Sequence, residues 1–191
     1  MTAAPKMDLI GSSRYALAAN ALTIGRLLLA PVLALLVLER NPWWLTFVLG
    51  WVLGATDLFD GRLARNATPT RFGAFFDPLA DKAVVLLTGY AVATYHGDWW
   101  LPMAIITVRE VAIQGYRSYW SRRQLAIPAR TSAKYKTFVQ GLALAAAMCP
   151  LFDDAFWVAT ALLWLAVAFT VVTGLQYVLD GRDALRTGGA R

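Results

Sequence analysis

Residues 57 to 81 read D-L-F-D-G-R-L-A-R-N-A-T-P-T-R-F-G-A-F-F-D-P-L-A-D, so Asp57 and Asp60 close one apolar segment and Asp77 and Asp81 open the next. An ionised carboxylate at the edge of hydrocarbon costs on the order of 3 kcal/mol unless it is paired or metal-bound, which makes acids in such places candidates for function. On an α-helix, residues three or four apart share a face. Asp57 with Asp60 and Asp77 with Asp81 have those two spacings, so each pair presents its oxygens on one side. Four carboxylates converging on one pocket would repel each other, and two divalent cations would neutralise them. An all-oxygen donor set suits Mg²⁺, Mn²⁺ or Ca²⁺ better than zinc. The competing reading is that these acids only cap helices or pair with Arg65, Arg71 and Lys82.

The elements that must position these acids are read from hydropathy. Of 191 residues, 58% are apolar, too many for a soluble domain of this size and right for a membrane protein. A span needs about 20 apolar residues to cross about 30 Å of hydrocarbon, and apolar runs fall near 22–38, 43–59, 74–95, 99–118, 134–151 and 156–179. The fold class expected is an all-α integral membrane protein with six transmembrane helices. Residues 1–191 then form a single membrane domain, with 1–20 as an N-terminal interfacial segment, a short interfacial helix over 8–19, and a polar tail over 181–191. Lys6 and Arg14 before the first run also suggest a signal peptide. The run is long for one and lacks an A-x-A site, so it is read as a span. Pro69, within residues 66–70, marks a turn that folds the second acid pair back towards the first.

Six spans place both termini on one side, together with residues 60–82 and 109–136. Every lysine and arginine except Arg40 is assigned to that side, which the positive-inside rule makes cytoplasmic. A multi-pass protein of the cell membrane, inner or plasma, is expected, with its acid site on the cytoplasmic side. The cationic side suits lipid headgroups and phosphorylated substrates. No basic patch lies beyond the membrane-flanking loops, so nucleic acid is not an expected partner. The Trp43-Trp44 and Trp99-Trp100 pairs mark outer turns and suit the aromatic belt. A lone cysteine, Cys149, excludes a disulfide framework and a cysteine-rich metal cluster.

The spacing D-x2-D-G-x2-A-R followed by G-x3-D-x3-D resembles the CDP-alcohol phosphotransferase family, through Asp57, Asp60, Gly61, Ala64, Arg65, Gly73, Asp77 and Asp81. The resemblance implies a reaction in which a CDP-linked donor loses CMP as its phosphoryl group passes to an alcohol. It implies two divalent cations, Mg²⁺ or Mn²⁺, held by Asp57, Asp60, Asp77 and Asp81, with Asp81 as the general base. The CDP moiety would lie against Asp57, Gly61, Ala64, Arg65 and Gly73. Asn20 and Thr23, three apart at the start of the first span, either line the nucleotide pocket or cap that helix.

A second cationic group follows: Arg109-Glu110, then R-S-Y-W-S-R-R, then T-S-A-K-Y-K-T. From Arg109 to Gln140 the chain resembles the phosphatidylglycerolphosphate synthase branch, with Ala133 where that branch has glycine and Val108 where it has alanine. The L-T-I-G-R stretch of the first span and T-R-F-G-A-F-F-D-P-L-A-D-K extend the likeness. That resemblance implies CDP-diacylglycerol as donor, sn-glycerol 3-phosphate as acceptor, and a homodimer among membrane lipids. Arg109, Lys134 and Lys136 are the expected acceptor-phosphate ligands. Otherwise Lys134 and Lys136 only snorkel to headgroups. Competing expectations are a cardiolipin synthase using phosphatidylglycerol, since L-L-L-A-P-V and D-P-L-A-D-K occur in that branch too, a phosphatidylinositol-phosphate synthase, and, outside enzymes, an ion transporter using the four acids.

Overall fold

The computed structural model describes residues 14–39, 42–63, 71–122 and 132–186. Among these the chain is helical without strands. The six α-helices are α1 (Arg14–Leu38), α2 (Trp43–Leu63), α3 (Arg71–Ala93), α4 (Trp100–Arg122), α5 (Ser132–Ala147) and α6 (Trp157–Arg186), with 3₁₀ turns at Gly97–Trp99 and Pro150–Phe152. Each apolar run of the sequence lies mostly within one helix, and the differences are at the ends. Helix α1 starts at Arg14 and passes unbroken into the first apolar run, so residues 14–19 are part of the long helix. The rest of the expected interfacial helix lies outside the described residues. Helix α2 continues to Leu63 and carries Asp57, Asp60 and Gly61 on its final turns. Helix α6 continues to Arg186, so the segment read as a tail from Gly181 is helical over its first half. Polar residues hold the i→i−4 ladder as well as apolar ones do, and hydropathy does not register them. The turn expected at residues 66–70 lies outside the described residues.

The chain divides into two compact units, Met1–Tyr95 with Met148–Pro150, and His96–Ala147 with Leu151–Arg191. In the first, α1 packs on α2 and on α3. Its core is built of small and branched side chains: Ala30, Leu33, Leu53, Ala80, Ala91 and Val92. Met148 lies across α2 at Gly50, where a Cβ would come 2.9 Å from its Cε. The missing side chain is what leaves the methionine room against α2.

In the second unit α6 packs on α4 and α5, and the 3₁₀ turn before α4 is latched to α6. Trp99 is completely buried and donates its indole N–H to Thr160 Oγ1 at 3.0 Å, while Thr160 donates to Asp98 Oδ2 at 3.0 Å. The His96 ring stacks on Phe156 with centroids 3.5 Å apart. Trp99 therefore differs from the belt residue expected of it. Its one polar atom has a protein acceptor, so the ring can leave the interface. Trp43, Trp44 and Trp100 are exposed, as belt residues are.

The polarity of these helices is inverted relative to a soluble bundle. On α1 the buried face carries Asn20, Thr23 and Arg26, while Leu17, Leu28, Val32 and Leu35 are exposed. On α5 Lys136 and Gln140 are buried and Phe138 and Leu142 exposed; on α6 Thr170 and Thr173 are buried and Val171, Val172 and Leu175 exposed. Water on that outer surface would oppose the arrangement at roughly 25 cal/mol per Å² of apolar area. Hydrocarbon outside and a polar site within satisfy it. Among the described residues two helices are individually long and apolar enough to cross a membrane, Leu17–Leu38 and Trp157–Leu179, and Trp43–Thr56 forms a shorter apolar helix.

Candidate functional site

Two groups of polar side chains are held inside the helices, one in each unit. In the first unit, Thr23 of α1 donates its hydroxyl to Asp77 Oδ1 of α3 at 2.6 Å. Thr23 Oγ1 is also 3.0 Å from the Ala19 carbonyl oxygen one turn back. A single proton cannot serve both fully, and the charge-assisted bond to a carboxylate is about twice as strong as a neutral one. The shorter distance agrees with that preference. Thr23 is thereby a clamp on one carboxylate oxygen, leaving the other for a second partner. Asn20 and Arg26 lie one turn to either side of Thr23, each more than nine-tenths buried. Pro78, inside α3, lacks an N–H and removes one helical hydrogen bond beside Asp77.

The helical backbone of α2 places Asp57 and Asp60 on one face and that of α3 does the same for Asp77 and Asp81. Gly61 falls on α2 and Gly73 on α3. The side chains of Asp57, Asp60 and Asp81 are outside what the structure describes, as are Ala64 and Arg65 altogether. No cluster of three metal-binding side chains occurs among the described residues. The donor set, four carboxylates at helical spacing with a hydroxyl already fixed to one of them, fits hard divalent cations.

In the second unit, the Arg109 guanidinium of α4 is docked on α6. Its Nε donates to the Thr170 carbonyl at 3.1 Å and its Nη2 to Thr173 Oγ1 at 2.9 Å, while Nη1 meets Glu110 Oε1 at 3.0 Å. A Cβ added at Gly174 would sit 3.4 Å from Arg109 Cγ and Nε, so glycine there gives the side chain room to lie along α6. Three of the five guanidinium donors are engaged among the described residues. Lys136 Nζ of α5 pairs with the same Glu110 oxygen, and both partners are more than nine-tenths buried. Of the three expected acceptor cations, Arg109 and Lys136 thus converge on one carboxylate. Lys134 is on the first turn of α5, its side chain outside the described set.

Sequence reasoning gave no role to Arg26, although a charge inside an apolar run, one turn from Thr23, was the available signal. Thr170, Thr173 and Gly174 were missed for another reason: they lie more than 60 residues from Arg109, beyond any local pattern.

Polar faces turned inward beneath an apolar surface suit an enzyme that handles charged, phosphorylated compounds at a membrane. Comparison with known proteins sharpens this. The family model for CDP-alcohol phosphatidyltransferase matches residues 16–172, and the chain belongs to that family. It is 38% identical over 194 aligned positions to a probable phosphatidylglycerophosphate synthase of Mycobacterium tuberculosis, covering 96% of this chain and 90% of the relative. It is 33% identical to the CDP-diacylglycerol–glycerol-3-phosphate 3-phosphatidyltransferase of Escherichia coli, covering 86% and 94%. The protein of that name from Cereibacter sphaeroides is 30% identical, over 83% and 92%. The chain is a phosphatidyltransferase enzyme of the membrane, from a family that generally uses divalent metal ions.

Proposed function

We propose that this enzyme transfers the phosphatidyl group of CDP-diacylglycerol to sn-glycerol 3-phosphate, releasing CMP and forming phosphatidylglycerolphosphate in phospholipid biosynthesis. The observation that carries the acceptor assignment is the buried pairing of Arg109 and Lys136 around Glu110. Two cations gathered at one buried point form the kind of donor set that an acceptor bearing its own phosphate engages through charge-assisted hydrogen bonds. The names of the relatives agree with that reading.

In the reaction, Asp81 takes the proton of the acceptor hydroxyl. The freed oxygen attacks the phosphorus of the phosphatidyl group, and the bond from that phosphorus to the CMP oxygen breaks. Asp57, Asp60, Asp77 and Asp81 would hold two divalent cations, Mg²⁺ or Mn²⁺, which supply charge neutralisation at the attacking and leaving oxygens. Thr23 keeps Asp77 in one rotamer, and Asn20, Thr23, Asp57, Gly61, Ala64, Arg65 and Gly73 are assigned to the CDP moiety. Arg109, Lys134 and Lys136 bind the acceptor phosphate. Thr23→Val keeps the shape of the clamp and removes its donor. Loss of a hydrogen bond to a charged group, roughly 1.5 to 3 kcal/mol, predicts a fall of at least about tenfold in kcat/KM for CMP release.

The proposed frame is one membrane domain of six spans with an interfacial N-terminal segment, residing in the cell membrane as a homodimer with both termini and the site cytoplasmic. The family match, which runs from residue 16 to residue 172, supports the single domain. The distribution of lysine and arginine supports the orientation.

The test is an acceptor panel. Purified protein with CDP-diacylglycerol is expected to release CMP with sn-glycerol 3-phosphate and not with phosphatidylglycerol or inositol phosphate. Release with phosphatidylglycerol alone overturns the assignment in favour of a cardiolipin synthase.

A further inference from the structure

We infer that Glu110 is a positioning residue for the acceptor: its carboxylate fixes the Lys136 ammonium and the Arg109 guanidinium to receive a phosphate monoester. This rests on the acceptor reading above. A single oxygen, Glu110 Oε1, accepts from both cations, which draws two like charges to one point. Unaided, two long basic side chains would separate and sample many rotamers. Arg109 is further immobilised through Thr170, Thr173 and the space at Gly174. Three of the guanidinium donors are thus spent on the protein, and two stay open among the described residues.

An ion pair built only for stability would need nothing else around it. Two buried donors argue otherwise. The Gln140 amide nitrogen, one turn after Lys136 on α5, has no hydrogen-bond partner among the described residues, and neither does the Thr170 hydroxyl. Gln140 is 4% exposed and Thr170 fully buried, so each forgoes water as well. A phosphorylated polyol carries anionic oxygens suited to the cations and hydroxyls suited to the unpaired amide and threonine. Cations set in advance lose less freedom when the ligand arrives.

The experiment measures CMP release by the full-length enzyme while glycerol 3-phosphate and CDP-diacylglycerol are varied in turn. Glu110→Gln keeps the shape and removes the charge that gathers the cations, and is expected to raise the acceptor KM about tenfold with donor KM within about twofold. Thr173→Val loosens Arg109 without touching the ion pair and should raise the acceptor KM about threefold, again alone. It supplies the answer if Glu110→Gln does not fold. Unchanged acceptor KM in the folded variants overturns the inference, as does a parallel rise in both KM values, which would mark Glu110 as a general structural residue. If wild type uses no glycerol 3-phosphate at all, the acceptor assignment fails first, and the inference fails with it.

Discussion

Removal of divalent cations by a chelator is expected to abolish CMP release, and Mg²⁺ or Mn²⁺ to restore it, the largest effect anticipated for this enzyme. The expectation follows from charge. Four aspartates at helical spacing on α2 and α3 repel one another in a low-dielectric setting unless counter-charge is present. A CDP-linked substrate brings a pyrophosphate and adds further negative charge. Thr23 neutralises none of it, since a hydroxyl donated to Asp77 at 2.6 Å orients the carboxylate without changing the sum. Activity would have to fall to background when chelator exceeds metal and return in proportion to added cation. Undiminished turnover in metal-free buffer would remove the mechanism altogether. Zinc is expected to restore less than Mg²⁺ or Mn²⁺, because no cysteine or histidine belongs to the expected donor set.

The acid motif was legible because helical spacing acts over a few residues. Two acids three or four apart share a face once the segment is helical, and α2 and α3 are helical where those acids lie. The hydropathy runs located the helices for the related reason that lipid-facing composition is a local property. They misplaced ends such as Arg14 and Arg186, where helical hydrogen bonding goes on past the apolar stretch. What the sequence did not reveal is which polar side chains meet. Thr23 was a candidate for either a cap or the nucleotide, and its bond to Asp77, 54 positions away, was in neither reading. Arg109 was read as a phosphate ligand, and the grip of α6 on it through Thr170 and Thr173 had no signal in the sequence. Trp99 illustrates the same limit: its type suits an interface, and only the tertiary acceptor at Thr160 explains its burial. Periodicity tells which face a residue takes, whereas pairing depends on helix packing that no single segment encodes.

Asp81→Asn is expected to lower turnover at least about a hundredfold, the lower part of the range for loss of a general base, while the KM for CDP-diacylglycerol changes by only a few-fold. The reasoning separates ligation from proton transfer. Asparagine keeps the length of the side chain and one carbonyl oxygen, so it remains a weak metal ligand. Its amide cannot accept the acceptor proton at any working pH. If Asp81 served only as a ligand, added Mg²⁺ or Mn²⁺ at high concentration would recover much of the lost rate. If it is the base, saturating metal leaves turnover low. Asp77 provides the internal comparison, because its Oδ1 already accepts a hydrogen bond from Thr23. Asp77→Asn should therefore weaken the apparent affinity for metal, with activity climbing back as metal is raised. A metal-rescuable Asp81→Asn beside an irrecoverable Asp77→Asn would exchange the two roles. Near-normal turnover in Asp81→Asn would require a different base.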